Sequence, residues 1–191
     1  MGQIVAQQQA APLPLALAVG EQGSQQYLTF TLNGEVFAIG ILNIKEIIEY
    51  GSLTEIPMMP AFIRGVINLR GAVVPVVDLS ARFGGRPTAV ARRTCIVIVE
   101  MAQVVDDAEI RQDIGIVVDS VNEVLEIPRG EIEPPPTFGA RIRADFIQGM
   151  GKVAGKFVII LNIDRVLSVD EMAQLATVGA SLAPEGEERG T

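Results

Sequence analysis

The residue types that most often carry out catalysis are scarce in this sequence. Its 191 residues include no histidine and one cysteine, Cys95. Histidine is the usual general base, a common metal ligand and the activator of serine and cysteine nucleophiles, so its absence removes those classes of site. A zinc site also depends on histidine or cysteine ligands. The sequence therefore predicts a protein that is not an enzyme and binds no metal.

One glycine-rich segment imitates a phosphate-binding loop without meeting its requirements. In such a loop four residues separate the first glycine from a Gly-Lys pair, and Ser or Thr follows the lysine. In GMGKVAG at 149–155 one residue intervenes, and Val153 follows Lys152. We interpret the segment as a hairpin, and we expect no nucleotide or other cofactor.

The acidic residues are scattered and do not form a recognisable site. Asp106, Asp107 and Glu109 lack the spacing of a calcium loop, so a solvated loop is the better interpretation. No two carboxylates are close enough in sequence to propose acid–base catalysis, although a small hydrolase that uses distant carboxylates remains an alternative. Four further acids lie where strands should end, as turn and cap residues do: Asp78, Asp119, Asp145 and Asp164.

Composition narrows the possible partners. The net charge is −8 and the isoelectric point is about 4.6, which argues against nucleic-acid binding because that needs a basic face. The longest apolar runs are far shorter than the ~20 residues of a membrane-spanning helix, so no membrane insertion is expected. The opening MGQIVAQQQA has no basic residue, which argues against a secretory signal. Cys95 lies inside an apolar run, so we expect a buried, inert thiol in a reducing cytoplasm.

The segment NLRGAVVPVVDL at 68–79 contains the most suggestive polar residue. Arg70 stands with Gly71 where the chain should reverse between two apolar runs. It could be an ordinary exposed turn residue, or it could contact a partner, because a guanidinium makes planar, multidentate hydrogen bonds. We expect burial of its apolar neighbours to hold the hairpin rigid, and these are Val66, Leu69, Val73 and Val74.

Alternating apolar residues and turn signals predict a protein built mainly of β-strands. Asn33-Gly34 is a strong two-residue hairpin signal, and the segments around 68–79 and 149–155 indicate two more hairpins. PAFIRG at 60–65 suggests a helical turn that a glycine ends. MAQVVDDAEIRQD, at 101–113, suggests a long loop. Ser168 and Glu171 form a capping box, which predicts a C-terminal helix at about 168–177.

The sequence also matches itself, which indicates an internal duplication. A shift of 77 (121 − 44) sets ILNIKEIIE on the segment around Val121, and a shift of 84 (146 − 62) sets Phe62 on Phe146. The shift of 84 also aligns Gly71 with Gly155, Val74 with Val158, Asp78 with Asn162, Phe83 with Leu167, and Arg70 with Ala154. We infer two copies of one β unit of about five strands, and small units of this kind usually close as barrels. Because Ala154 replaces Arg70 in the second copy, the turn itself does not require an arginine.

These patterns give a domain division. Disordered tails are expected at 1–25 and 178–191, with one domain at 26–176 between them. Its first repeat covers about 26–85 and its second about 92–167, followed by the C-terminal helix. The apolar LPLALAV in the first tail could instead dock as an extra strand or helix.

Four segments together resemble the family of bacterial chemotaxis coupling proteins called CheW. They are QYLTFTLNGEVFAIGILNIKEIIEY, IPMMPAFIRGVINLRGAVVPVVDLSARFG, IGIVVDSVNEVLEI and FIQGMGKVAGKFVIILNIDRVL. The resemblance implies two SH3-like five-stranded β-barrels packed together, with short helical turns and a C-terminal helix. It also implies a non-catalytic cytoplasmic adaptor, recruited to receptor arrays, that joins methyl-accepting chemoreceptors to the regulatory domain of the histidine kinase CheA.

The resemblance also implies partner-binding residues, which are Arg70, Asn68, Gly65, Ile44 and Glu46. The leader and the 102–113 loop depart from the family pattern, so no residue of the second repeat is assigned. Two alternatives remain beside the adaptor reading. One is a fragment of a CheA-like kinase, and the other is a coupling protein of a motility or developmental pathway with the same fold.

Overall fold

The computed structural model describes residues 23–136, 142–168 and 170–171. Within these ranges the strands are β1 Ser24–Leu32, β2 Glu35–Gly40, β3 Ile44–Glu49, β4 Ile63–Leu69, β5 Ala72–Asp78, β6 Cys95–Val105, β7 Ala108–Val118, β8 Ser120–Pro128, β9 Ile132–Glu133, β10 Ile147–Val153 and β11 Lys156–Leu161. Two one-turn helices, α1 Leu79–Arg82 and α2 Ile163–Val166, follow β5 and β11. The prediction of a mainly β protein with short helical turns is confirmed.

Two-residue turns close the predicted hairpins. Asn33 and Gly34 join β1 to β2 with φ of 49° and 81°, and Ala154 and Gly155 join β10 to β11 with φ of 49° and 77°. Positive φ at both central residues gives a turn whose twist matches that of paired strands, and Asn and Gly adopt it at the lowest cost. GMGKVAG is therefore a strand and a turn, as interpreted from its spacing.

The duplication is visible in the elements themselves. The bounds of β4 and β10 differ by 84, as do those of α1 and α2. Asp78 caps α1 by accepting from the Ala81 N–H at 3.2 Å, and Asn162 caps α2 by accepting from the Arg165 N–H at 3.3 Å. A residue with a side-chain oxygen thus fills the same helix-capping role in each copy.

The strands form two curled sheets, and each sheet combines strands from both copies. One sheet has the order β8-β1-β2-β11-β10-β9, and the other has the order β3-β6-β7-β5-β4. The hairpin β1–β2 therefore lies among strands of the second copy, and the hairpin β6–β7 lies among strands of the first. β2 pairs in parallel with β11, and β5 pairs in parallel with β7. Each copy therefore places one hairpin in the sheet of the other copy, and the two placements are equivalent.

Three apolar clusters stabilise this arrangement. Tyr27, Ala38, Ile127, Val158 and Ile160 fill the interior of the first sheet. Val74, Val76, Ile96, Ile98 and Val117 fill that of the second. A larger cluster lies between the sheets and contains Phe30 and Phe37 from one side and Val97, Val99 and Ile116 from the other. The two SH3-like units therefore pack through a shared apolar interface that extends the buried core.

The segment 102–113 is not a loop, so that expectation is wrong. It belongs to the antiparallel pair β6–β7, in which Glu100 to Val105 are paired with Asp113 to Ala108. Asp106 and Asp107 form the turn, with φ of 50° and 63°. Both faces of this part of the hairpin are largely exposed. Its strands therefore lack the alternation of apolar and polar residues that marks a half-buried strand, and the sequence alone did not indicate a hairpin.

Smaller expectations are also corrected. Ser24 and Gln25, which we placed in the first tail, belong to β1, and residues 1–22 lie outside the described residues. PAFIRG is not a helical turn ended by glycine, since Gly65 lies inside β4. Cys95 is half-buried, and its Sγ lies 3.3 Å from the Arg93 carbonyl oxygen.

The C-terminal helix of about 168–177 lies mostly outside the described residues, which include Asp170 and Glu171 in helical conformation. Within the described ranges, no helix has the length and apolar character needed to cross a bilayer.

Candidate functional site

Arg70 occupies the first position of the turn between β4 and β5. Arg70 and Gly71 have φ of 51° and 86°. The side chain of Asn68 fixes the turn from inside, because its Oδ1 accepts a hydrogen bond from the Gly71 N–H at 2.9 Å. The sequence prediction of a chain reversal at Arg70-Gly71 is confirmed.

The guanidinium of Arg70 makes a two-pronged ion pair with the carboxylate of Glu46 on β3. Arg70 Nη2 donates to Glu46 Oε1, and Nη1 lies 3.3 Å from Oε2. The Arg70 side chain is still 70% exposed, whereas that of Glu46 is 28% exposed. Glu46 therefore holds the guanidinium in one orientation, and most of the surface of Arg70 stays accessible.

A bulge in β3 places Glu46 where it can reach Arg70. The pairing of β3 with β6 shifts between Ile44 and Glu46, so that Ile44 faces Val99 and Glu46 faces Ile98. Ile44 packs on the cluster between the sheets and is half-buried. Ile44 and Glu46 thus belong to different sides of the strand, because an extra residue in a bulge re-aims the side chains that follow it.

Gly65 supports the same hairpin through its backbone. Its φ is 144°, and a Cβ there would lie 2.3 Å from the Thr54 carbonyl oxygen. Thr54 and Val66 exchange two backbone hydrogen bonds of 2.9 Å each beside it. Gly65 is buried and offers no side chain to a partner, so it acts on the surface by letting two backbones approach closely.

A second cluster of charged side chains lies next to the ion pair of Arg70 with Glu46. Lys45 Nζ lies 2.9 Å from Asp113 Oδ1 and 3.2 Å from Glu100 Oε2, and Arg111 Nη1 lies 3.1 Å from Glu100 Oε1. The hydrogen bonds to Asp113 and then to Glu100 raise the pKa of Lys45. The hydrogen bond from Lys45 lowers the pKa of Glu100. The ion pairs of Lys45 with Asp113 and Glu100 tie β3 to the base of the β6–β7 hairpin.

The ion pair and the charged cluster border a shallow concavity of about 460 Å³. It is lined by Lys45, Glu46, Leu69, Arg70 and Asp113. Val73 on β5 lies on the other face of the hairpin from Leu69 and is 71% exposed, although we expected this residue to be buried with Val74. The concavity thus has one apolar side chain, Leu69, among side chains of both charges. Among the described residues, no group of three or more His, Cys, Asp and Glu could hold a metal.

The structure brings Arg70, Glu46 and Asn68 together at one surface and places Gly65 and Ile44 beneath or behind it. Sequence reasoning missed Lys45 and Asp113. Lys45 could have been found from its position beside Glu46. Asp113 could not, because its place depends on a hairpin that was expected to be a loop.

Comparison with known proteins decides the family. The family model of the CheW-like domain matches residues 26–171. The chain belongs to the CheW-like family. It is 35% identical over 162 residues to the chemotaxis protein CheW of Klebsiella aerogenes, an alignment that covers 85% of this chain and 93% of that one. It is 27% identical over 163 residues to the protein FrzA of Myxococcus xanthus, covering 84% and 96% of the two chains.

A solved structure supports both the family and the fold. The scaffolding protein TtCheW of Thermoanaerobacter tengcongensis is 34% identical, with a TM-score of 0.65, and the match covers 75% of this chain and 88% of that one. Members of this family are scaffolds and not catalysts. The present chain is accordingly a non-catalytic adaptor of chemotaxis signal transduction, as expected from its lack of histidine and from the resemblance.

Proposed function

We propose that this chain couples methyl-accepting chemoreceptors to the regulatory domain of the histidine kinase CheA, and that it does so in the cytoplasm, at receptor arrays. We further propose that Arg70, Glu46 and Asn68 form its partner-binding surface, with Gly65 and Ile44 as the residues that hold this surface in place. These five residues are called the coupling surface below.

One observation carries the assignment of the surface: Arg70 is ion-paired and yet 70% exposed at a rigid turn. A guanidinium that is already oriented loses little conformational freedom when a partner binds it. The equivalent turn of the second copy has Ala154 with nearly the same φ as Arg70, 49° against 51°. The arginine is therefore not needed to form the turn, which supports a role outside the chain.

The surroundings of Arg70 suit a helical partner. Leu69 supplies apolar contact in the concavity, and Glu46 and Lys45 supply charges of both signs. The tip of a helical hairpin presents apolar ridges flanked by charges, which such a surface can match. The concavity is shallow, so we expect a modest interface, of the size typical of transient signalling contacts.

A second pathway is possible for the same adaptor. The similarity to FrzA of Myxococcus xanthus is compatible with a coupling protein of a motility or developmental system. Because fold and adaptor role are shared, the partners distinguish the two pathways. Capture from native cytoplasm should recover chemoreceptors and CheA if the chain serves chemotaxis.

The direct test is the binding of Arg70→Ala to a receptor signalling fragment and to the CheA regulatory domain, measured by calorimetry. We expect binding to at least one partner to weaken by about 1–3 kcal/mol, as is usual for an interface arginine. Arg86→Ala is the matched control, because Arg86 is also exposed but lies in the loop after α1. Normal binding of both partners by the Arg70 variant would show that this surface is not used.

A further inference from the structure

Part of the β6–β7 hairpin projects beyond the two sheets. Pairing of β6 with β3 stops at Val99, and pairing of β7 with β5 begins at Gly115. The six residue pairs from Glu100–Asp113 to Val105–Ala108 therefore have no further strand beside them in the described part of the chain. We call residues 100–113 the ribbon. At about 3.3 Å per residue it is roughly 20 Å long.

The ribbon carries apolar side chains in places where no core can bury them. Val104 is 74% exposed and Ile110 is 47% exposed. Val104 pairs with Glu109, and Ile110 pairs with Gln103, so the two apolar residues lie on opposite faces. At the base of the ribbon, by contrast, Met101 is 5% exposed within the cluster between the sheets. The outer residues thus add apolar surface that contributes nothing to the core.

Charge on the ribbon increases towards its tip. It contains five acidic residues and one basic residue: Glu100, Asp106, Asp107, Glu109 and Asp113 against Arg111. Lys45 pairs with Glu100 and Asp113 at the base, and Arg111 lies 3.3 Å from Glu109. Asp106 and Asp107 have no ion pair among the described residues. The unbalanced negative charge is therefore at the tip, beyond Val104.

The ribbon is continuous with the coupling surface. Asp113, at its base, lines the same concavity as Arg70 and Glu46, and Lys45, the neighbour of Glu46 in β3, donates a hydrogen bond to Asp113. A partner that fills this concavity lies beside the base of the ribbon. The remainder of the ribbon can then contact the same partner about 20 Å away.

We propose that the ribbon is a second docking arm for the receptor that binds the coupling surface, an inference that rests on the proposed function. It contacts an apolar side chain of the receptor through Val104 and basic side chains through the carboxylates at its tip. Continuity with the coupling surface favours this occupant, because Asp113 at the base of the ribbon lines the same concavity as Arg70 and Glu46. A second copy of the present chain, with a net charge of −8, would be repelled by the acidic tip.

The test uses two ribbon variants of the full chain. The triple variant Asp106→Asn, Asp107→Gly, Glu109→Gln removes three charges and retains the turn, because Asn-Gly is the preferred pair at positive φ. Val104→Thr removes apolar surface and retains the β-branched shape. The matched control is Glu35→Gln, Glu123→Gln, Asp164→Asn, which removes three exposed charges elsewhere. Thermal melting verifies that every variant is folded.

Binding to a receptor signalling fragment is measured at low and high salt. We expect the charge variant to bind about 3–10-fold more weakly at low salt and the difference to shrink near 0.5 M salt, where the Debye length is only a few Å. We expect Val104→Thr to weaken binding about 3-fold at both salt concentrations, because one partly buried methyl group is lost.

The outcomes separate the two proposals. If the wild type binds the receptor fragment and both ribbon variants bind it equally well, the docking arm is overturned and the proposed function stays intact. Absence of wild-type binding overturns the proposed function, and the docking arm with it. Concentration-dependent self-association that the ribbon variants abolish would identify the occupant as a second copy and would also overturn the proposal.

Discussion

Arg70 and Glu46 join two strands that do not pair with one another, with Nη1 of the arginine 3.3 Å from Oε2 of the glutamate. β4 and β3 are the two end strands of the second sheet, so this ion pair lies where the curled sheet brings its ends together. Because the arginine is 70% exposed, the pair should contribute more to orientation than to stability.

A double-mutant cycle on this pair tests that distinction. We expect Arg70→Ala and Glu46→Ala each to change the free energy of unfolding by less than about 1 kcal/mol, the usual range for an exposed pair. The effects of the two mutations on receptor binding should be strongly non-additive, because removing Glu46 releases the guanidinium that we propose as the partner contact. Urea denaturation and calorimetric binding on the four proteins provide the numbers. Additive effects on binding would show that Glu46 does not orient Arg70.

Gly65→Ala should be much more damaging than its small change in volume suggests. The new Cβ would lie 2.3 Å from the Thr54 carbonyl oxygen, at a φ of 144°. We expect a loss of at least about 2 kcal/mol in the free energy of unfolding, from backbone strain together with the clash. Gly51→Ala is the control, since a Cβ at that position would meet no atom within 4 Å. Equal unfolding midpoints for the two variants would remove the structural role given to Gly65.

Ile160→Ala tests the interior of the first sheet. Ile160 on β11 is fully buried and packs in the cluster that contains Tyr27 and Ile127. Truncation should reduce the free energy of unfolding by about 2–5 kcal/mol, because the removed atoms leave a cavity. Val73→Ala, at a 71% exposed position, should stay within about 0.5 kcal/mol. A loss below about 1 kcal/mol for Ile160→Ala in chemical denaturation would contradict the core described above.

Glu171 should make stability depend on acid pH. Its Oε1 lies 3.3 Å from Nη2 of Arg82, a nearly buried arginine, and Arg143 also donates to it. Partial burial raises the pKa of Glu171, but hydrogen bonds and positive charge from Arg143 and Arg82 outweigh it, and the pKa lies below its ordinary value. The carboxylate therefore stabilises the fold fully above the unfolded-state pKa of about 4.3, and this contribution is lost as pH falls through the lower folded-state pKa.

Glu171→Gln removes this contribution. We expect the variant to be less stable than the wild type at pH 7, because Arg82 loses the charge that compensates its burial. The difference should shrink between about pH 5 and pH 3. Denaturation midpoints measured across that range give the result, with Glu131→Gln as an exposed control. A constant difference at all pH values would show that Glu171 does not act through its charge.

Local patterns in the sequence were sufficient for much of the fold. Asn33-Gly34 predicted the first hairpin. The self-alignment of the sequence set Asp78 on Asn162, and in the structure these two residues cap the equivalent helices α1 and α2. These features depend on residues within a few positions of each other, so the sequence contains their causes. The resemblance to the family supplied the candidate surface, and the structure shows why Arg70 and Asn68 share a turn.

Other features depend on contacts between distant segments. The ion pair of Arg70 with Glu46 requires the bulge at Lys45 and the curl of a sheet, neither of which has a local signal. The ribbon at 100–113 was hidden because its polar faces resemble those of a loop. Val73 was expected to be buried since it belongs to an apolar run, but it lies on the outer face of an end hairpin and is exposed.

By itself the sequence determined that the protein is duplicated, rich in β-strands and without the side chains of common catalysts. Only the tertiary structure decided which hairpin completes which sheet. Because the two copies have equivalent strands, the sequence leaves open whether the hairpin β1–β2 completes a sheet with its own copy or with β8 and β11 of the other. The observed exchange places Phe30 and Phe37 against Val97 and Val99 in one shared interface. Burial summed over the whole molecule, which no single segment encodes, selects that arrangement.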